Sequence, residues 1–323
     1  MEARTQQQPP TFADIVAART FISPYLPKTP LVRIAKISED LDCDYYAKLE
    51  NLQPVGAFKV RGGVNLVGSL PRDTGTLVTA STGNHGQSIA YAGRLFNKRV
   101  VIYAPAENVN EMKMQAMRDL GAEVRLHGRD FDEARLETER AAREEGFRYV
   151  HSANEPALIA GVGTIGLEIF EDLPDVDVII AAAGGGSCAS GNCIVAKHLN
   201  PKTRVIAVQS DAAPATWHAW RNHNLDPYPT MKTEHEGIAT RIPFELTNRV
   251  LWSQLDDFIL VSDEDINDAI RLLARYGRQV VEGAGAASLA AAIKLREQLR
   301  GKKVVGILSG GNIPPARFAK LIA

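Results

Sequence analysis

Eight short β-rich runs recur along the chain, separated by stretches long enough for helices, and this alternation restricts the fold to a mainly parallel α/β architecture. The runs lie at residues 45–49, 76–80, 100–103, 123–126, 178–182, 205–208, 258–261 and 304–308. Between them, Met112, Ala116 and Leu120 follow helical spacing in 110–120, with Gly121 placed to stop the turn. A helix over 263–276 opens on Ser262 as cap, with Asp265 three residues later. Residues from about 64 to 153 hold a complete strand–helix series. The expected organisation is therefore two open, mainly parallel α/β domains. A smaller one, 64–153, is inserted into a larger one made of 1–63 and 154–323.

Composition excludes several function classes. Lys and Arg number 37 against 38 Asp and Glu, so a formal charge of −1 leaves no electrostatic footprint for nucleic acid or an anionic membrane. No apolar run reaches membrane-spanning length, and Met1 to Pro10 is polar and Gln-rich, unlike a signal peptide, and is expected to fray. The three cysteines, Cys43, Cys188 and Cys193, are too few for a disulfide framework, and their number fits a reducing cytoplasm. Cys188 and Cys193 read as buried helix cysteines, since no second pair or suitably spaced histidine completes a zinc site.

Chemistry concentrates in four loops. Lys59 stands alone in the uncharged run 52–60, framed by Phe58 and Val60 and followed by Arg61-Gly62-Gly63. A lysine held there by burial beside a helix N-terminus loses pKa, and a neutral amine is a nucleophile for aldehydes. The alternative is an ordinary lysine in the first turn of a surface helix. The second loop, Ser81-Thr82-Gly83-Asn84-His85-Gly86, joins a strand to a helix and offers hydroxyls, an amide and backbone N–H groups to a carboxylate. Helix capping explains one or two of those residues. Third, the run 178–182 leads into Gly184-Gly185-Gly186-Ser187-Cys188, a cradle suited to phosphate that matches neither the dinucleotide fingerprint nor a P-loop. Packing alone is the competing account of those glycines. The fourth, Ser309-Gly310-Gly311-Asn312, puts a neutral hydroxyl at a strand's C-terminal end, where open α/β sheets bind ligands.

In this order the loops resemble the tryptophan-synthase-β-like family of pyridoxal-phosphate enzymes, and more narrowly its serine/threonine dehydratase and serine racemase branch. The resemblance runs from Thr29-Pro30-Leu31 through Lys59 and the stretch 154–161 to Ser309-Gly310-Gly311-Asn312. It implies pyridoxal 5'-phosphate as cofactor, carried on Lys59 as a Schiff base with Phe58 beside the ring. Asn84 would bond the phenolic oxygen, Gly184, Gly185, Gly186, Ser187 and Cys188 would bind the phosphate through backbone donors, and Ser309 would face the pyridine nitrogen. Ser81, Thr82 and His85 would surround the substrate carboxylate, and the assembly would be a homodimer.

Departures from the family pattern refine the expectation. Ala57 replaces the serine usual before Phe-Lys, and Ser187 replaces the fourth glycine. Gln209 and Ala215 stand where racemase-like members carry acidic metal ligands, so no metal is expected. Thr82 occupies the place of the racemase serine. The chain stops soon after Asn312, which is taken to leave no room for the regulatory domain of biosynthetic threonine dehydratases. The expected activity is loss of water from a 3-hydroxy amino acid, such as L-threonine, L-serine, 3-hydroxyaspartate or phenylserine, to give a 2-oxo acid and ammonia. The alternatives are an amino-acid racemase of the same family and, in another class, a non-catalytic phosphate- or nucleotide-binding regulator.

Overall fold

The computed structural model describes residues 7–107, 110–129 and 131–323; the fraying expected for 1–6 lies outside them. Among the described residues ten strands form two sheets. In chain order they are β1 (Leu31–Arg33), β2 (Asp44–Lys48), β3 (Leu77–Ala80), β4 (Val100–Ala104), β5 (Glu123–Leu126), β6 (Arg148–Tyr149), β7 (Val178–Ala182), β8 (Arg204–Ser210), β9 (Asp257–Val261) and β10 (Lys303–Ile307). The larger sheet runs β1-β2-β10-β7-β8-β9 and the smaller β5-β4-β3-β6. Every pairing is parallel except β1 with β2. All strands of the smaller sheet lie in sequence between β2 and β7.

The eight expected strands are all present, with ends shifted by a residue or two. β1 and β6 are additions. One spans three residues with an exposed, charged end and the other spans two half-buried residues, lengths at which a period-2 pattern cannot register. The helix expected over 110–120 spans Glu111–Asp119, capped by the Asn110 side chain. The Ser262–Asp265 capping box forms in full. The α-helix that follows ends at Leu272, ahead of the expected 276, and passes into a π-turn over Leu273–Gly277. Arg278 in the left-handed conformation closes it, and the Gln279 N–H returns to the Leu273 carbonyl. Among the described residues no helix is long and apolar enough to cross a membrane.

The helix Lys59–Ser69 is the pivot of the packing. A Cβ on Gly62 would lie 2.7 Å from the Leu158 carbonyl, and one on Gly63 2.2 Å from Ser88 Oγ. Only glycines let this helix touch both Pro156–Asp172 and Asn84–Leu95 at backbone distance. Beneath its first turn lies a buried ion cluster. The Arg61 guanidinium donates to Glu50 Oε2 (2.7 Å) and Glu168 Oε1 (2.8 Å), while Lys48 Nζ donates to Glu168 Oε2 (2.7 Å). All four side chains are at most 1% exposed.

Candidate active site

Three of the four loops follow the C-terminal ends of β3, β7 and β10, the position that open parallel sheets reserve for ligands. The fourth, carrying Lys59, is zipped to the loop after β10. Ala57 forms a β-bridge with Gly310, Phe58 N–H donates to the Ser309 carbonyl (3.0 Å), and Gly311 N–H donates to the Gly56 carbonyl (2.8 Å). Every sequence-predicted site residue lines one cavity of ≈ 710 Å³ between the two sheets.

In the glycine loop, two threonine hydroxyls and one backbone N–H tie the carbonyls back. Thr216 Oγ1 donates to Gly184 O (2.5 Å), Thr247 Oγ1 to Gly185 O (2.7 Å), and Ser190 N–H to Gly186 O (2.9 Å). The N–H groups of Gly184, Gly185, Gly186, Ser187 and Cys188 find no protein acceptor among the described residues. Gly186, at φ +84°, turns the chain into the helix Ser187–Leu199. Five converging donors at a helix N-terminus are what a phosphate dianion requires, so the residues present fit pyridoxal phosphate.

Lys59 Nζ donates to Ser187 Oγ (3.1 Å) and to the Ser152 carbonyl (3.2 Å), 5.3 Å from the centre of the Phe58 ring. Its remaining exposure is toward the cavity it lines. Burial brings its pKa down to about 8, against an ordinary 10.5, with only the Cys188 thiol pulling the other way. The Cys188 thiol is itself pushed up to about 12 by burial and stays neutral.

The loop after β3 is arranged differently from the plain receptor expected. Ser81 Oγ accepts from the N–H groups of Gly83 (3.1 Å) and Gly86 (2.8 Å), so this hydroxyl shapes the loop. Thr79 spends its hydrogen on the Val150 carbonyl (2.8 Å), which makes His85 Nε2 the donor to Thr79 Oγ1 (3.0 Å). Burial, and then the Lys59 charge, hold the imidazole well below its ordinary pKa. A neutral ring whose Nδ1 is a lone pair offers a carboxylate nothing. What remains for an anion is the Thr82 hydroxyl and the N–H groups of Asn84 and His85, which have no protein acceptor among the described residues.

Sequence reasoning missed a second tier of polar residues. Asn84 Nδ2 donates to Glu282 Oε1, and Asn84 Oδ1 accepts from Asn312 Nδ2 (2.8 Å). Lys113, on the small-sheet side, reaches across the cavity to Glu236 (3.0 Å) and Glu282 (3.5 Å). Burial works against the charge of Lys113, but Glu282 and Glu236 outweigh it and raise the pKa. Glu236 and Glu282 sit in stretches with no strand-end glycine pattern, and Lys113 reads as one charge of an amphipathic helix. Only their meeting in space marks them.

Comparison with known proteins agrees with this geometry. Residues 22–310 match the family model described as pyridoxal-phosphate dependent enzyme. The chain is 37% identical over 318 residues to an L-threonine ammonia-lyase of Thermotoga maritima, covering 97% of this chain and 78% of that protein. Among solved structures, the processed form of threonine deaminase isoform 2 from Solanum lycopersicum aligns with a TM-score of 0.90 at 29% identity, covering 96% of this chain and 90% of that one. Maize serine racemase aligns with a TM-score of 0.91 at 28% identity, covering 96% of both chains. A buried amine beside a cradle of unpaired backbone donors, on a fold shared over nearly the whole chain, leads to one conclusion: the chain belongs to the pyridoxal-phosphate-dependent enzymes, in their serine/threonine dehydratase branch, and is a lyase that uses that cofactor.

Proposed function

We propose that this lyase removes water from a 3-hydroxy amino acid, L-threonine or L-serine being the simplest, and releases a 2-oxo acid and ammonia. The observation that carries the reading is the Lys59 amine, with no carboxylate partner among the described residues and lowered by burial to about 8, set against the phosphate cradle. Lys59 and Thr82 are assigned the catalytic roles. Phe58, Asn84, Gly184, Gly185, Gly186, Ser187, Cys188 and Ser309 would hold the cofactor, and Ser81, Thr82 and the His85 N–H would form the carboxylate end. When bound, pyridoxal phosphate supplies an electron sink for the charge left at Cα. Lys59, neutral above about pH 8, takes the Cα proton, so the rate of that step rises with pH through its pKa. The Ser309 hydroxyl makes no hydrogen bond to protein among the described residues and, unlike a carboxylate, does not hold a proton on a ring nitrogen. Ser309, a hydroxyl instead of a carboxylate, would let a bound cofactor store less of that charge and leave more to expel the β-hydroxyl.

Thr82 separates elimination from racemisation. Racemisation needs a proton donor on the face of Cα opposite Lys59. Thr82 keeps a hydroxyl, but β-branching stiffens its χ1, and a donor misplaced by about 1 Å loses on the order of a hundredfold in rate. A panel of 3-hydroxy amino acids should therefore give 2-oxo acid far faster than D-amino acid. Thr82→Ser should raise the racemised fraction more than it lowers dehydration. Keto-acid assay beside chiral chromatography reads both rates, and D-amino acid formed as fast as 2-oxo acid would contradict the dehydratase reading.

The same reading makes the enzyme independent of divalent cations. Gln209 is fully buried, with Nε2 donating to the Ile238 carbonyl (3.4 Å) and Oε1 accepting from Trp217 N–H (3.1 Å), and Ala215 is buried at the start of a helix. The cluster Glu234, His235 and Asp263 holds possible ligands. The Arg317 guanidinium already lies 3.3 Å from Glu234 Oε1 and 3.4 Å from His235 Nδ1, which disfavours a cation. Chelation should leave activity within about twofold. A large loss restored by magnesium or calcium would refute this.

The cellular form proposed is a cytoplasmic homodimer. Its three cysteines are free and buried, as a reducing compartment permits. Leu52 and Val280 are 54% and 51% exposed, and Asn51 Nδ2 ties their loops by donating to Gln279 Oε1 (3.0 Å) and to the Val280 carbonyl (3.3 Å), a face open to a second copy. The division into 1–63 with 154–323 and 64–153 is supported by the origin of the smaller sheet, although the helix Lys59–Ser69 runs unbroken through residue 63.

A further inference from the structure

The amine of Lys59 is enclosed without a counter-charge. The titratable groups facing it are the Cys188 thiol and the His85 imidazole, both held neutral. No carboxylate pairs with it among the described residues. It also lies beside the N-terminus of the helix Ser187–Leu199, whose positive end opposes an ammonium. When Lys59 removes the Cα proton, the Cα–H bond breaks, an N–H bond forms, the electron pair stays on the substrate, and the amine becomes a cation in this unfavourable place. Two acceptors are within reach: the Ser152 carbonyl at 3.2 Å and Ser187 Oγ at 3.1 Å.

The serine is the informative one. Ser187 is 2% exposed and follows Gly186, which already makes the left-handed turn, so a side chain at 187 costs the backbone nothing. Its hydroxyl has no other hydrogen bond to protein among the described residues and does not cap its own helix, whose N-cap is Gly186. A glycine at this position would leave Lys59 with the Ser152 carbonyl alone. Having accepted from Lys59, the hydroxyl still has its own hydrogen to offer to an oxygen in the cradle.

We propose that Ser187 is a positioning residue for Lys59: its hydroxyl receives the released amine and, with the Ser152 carbonyl, holds it where it exchanges the Cα proton. The inference rests on Lys59 being the working amine of the proposed function. Loss of the hydroxyl withdraws one of two acceptors from the ammonium, so the amine titrates lower and proton removal becomes slower.

Two measurements test this on the full chain. In the first, cofactor is stripped with hydroxylamine, its return on re-addition is verified, and Lys59 is labelled with acetic anhydride across a pH series and read by mass spectrometry. Ser187→Ala and Ser187→Gly should both lower the labelling midpoint by about one pH unit, whereas Ser187→Thr should keep it. In the second, the loaded Ala and Gly variants should lose about tenfold in kcat with little change in KM and show a larger isotope effect with Cα-deuterated substrate. An unmoved midpoint in both hydroxyl-less variants would overturn the role of Ser187. That result stays distinct from failure of the Lys59 assignment, because the labelling needs no substrate and the cofactor's attachment point is mapped separately.

Discussion

Lys59→Ala should fold, bind no yellow chromophore covalently, and lose turnover by at least about a thousandfold. The fold should survive because the amine is not part of the buried ion cluster. Among the described residues it bonds Ser187 Oγ and the Ser152 carbonyl, both at the cavity wall, where water can replace it. Helix propensity favours alanine at the first position of Lys59–Ser69. The chemistry should not survive, since Cys188 and His85, titratable groups that face the amine, are a protonated thiol and a neutral ring already bonded to Thr79. Circular dichroism, the visible absorbance of the cofactor and a keto-acid assay check the three parts. Residual turnover within tenfold of wild type would mean that another group takes the Cα proton.

The largest effect on stability should come from two residues further along the same helix. Arg61→Met should cost about 3–5 kcal/mol, because it removes the buried guanidinium that pairs with both Glu50 and Glu168 and leaves the Thr29 hydroxyl (2.6 Å) as the remaining hydrogen-bond donor to Glu50 among the described residues. Glu168 makes the effect pH-dependent. Burial alone would raise its pKa, but Arg61 and Lys48 outweigh burial and hold it at about 2, against an ordinary 4.5. A carboxyl depressed on folding stabilises the protein above its unfolded pKa and loses that contribution as pH falls through its folded value. The native protein should accordingly lose stability between about pH 4.5 and 2, and Glu168→Gln, though less stable at neutral pH, should lose less over that interval. Urea unfolding midpoints at fixed cofactor concentration measure both. A midpoint for Arg61→Met equal to the parent's would show that the cluster contributes nothing net.

What the sequence disclosed followed from where the chemistry is local. The loops at 81–86, 184–188 and 309–312 follow strand ends, which are readable from apolar runs, and Lys59 shows as the lone charge of an uncharged window ahead of a helix. Ser262 and Asp265 were equally legible, because a capping box is a contact between residues three apart. Glu282, Lys113 and Glu236 act through pairings across 123 and 169 residues, which no local pattern encodes. The state of the His85 imidazole is hidden from a local reading for the same reason. Burial and the Lys59 charge keep the ring neutral, and its tautomer is set by Thr79 and, through it, by the carbonyl of Val150, 71 residues away from Thr79. β1 and β6 exist because a neighbouring strand pairs with them, and that too is absent from three- and two-residue segments read alone.

Borohydride reduction fixes the cofactor to whichever lysine carries it. Reduction of the cofactor-loaded protein, followed by proteolysis and mass spectrometry, should place the pyridoxyl adduct on Lys59 alone. An adduct on Lys113, or on any other lysine, would contradict the assignment of the active site.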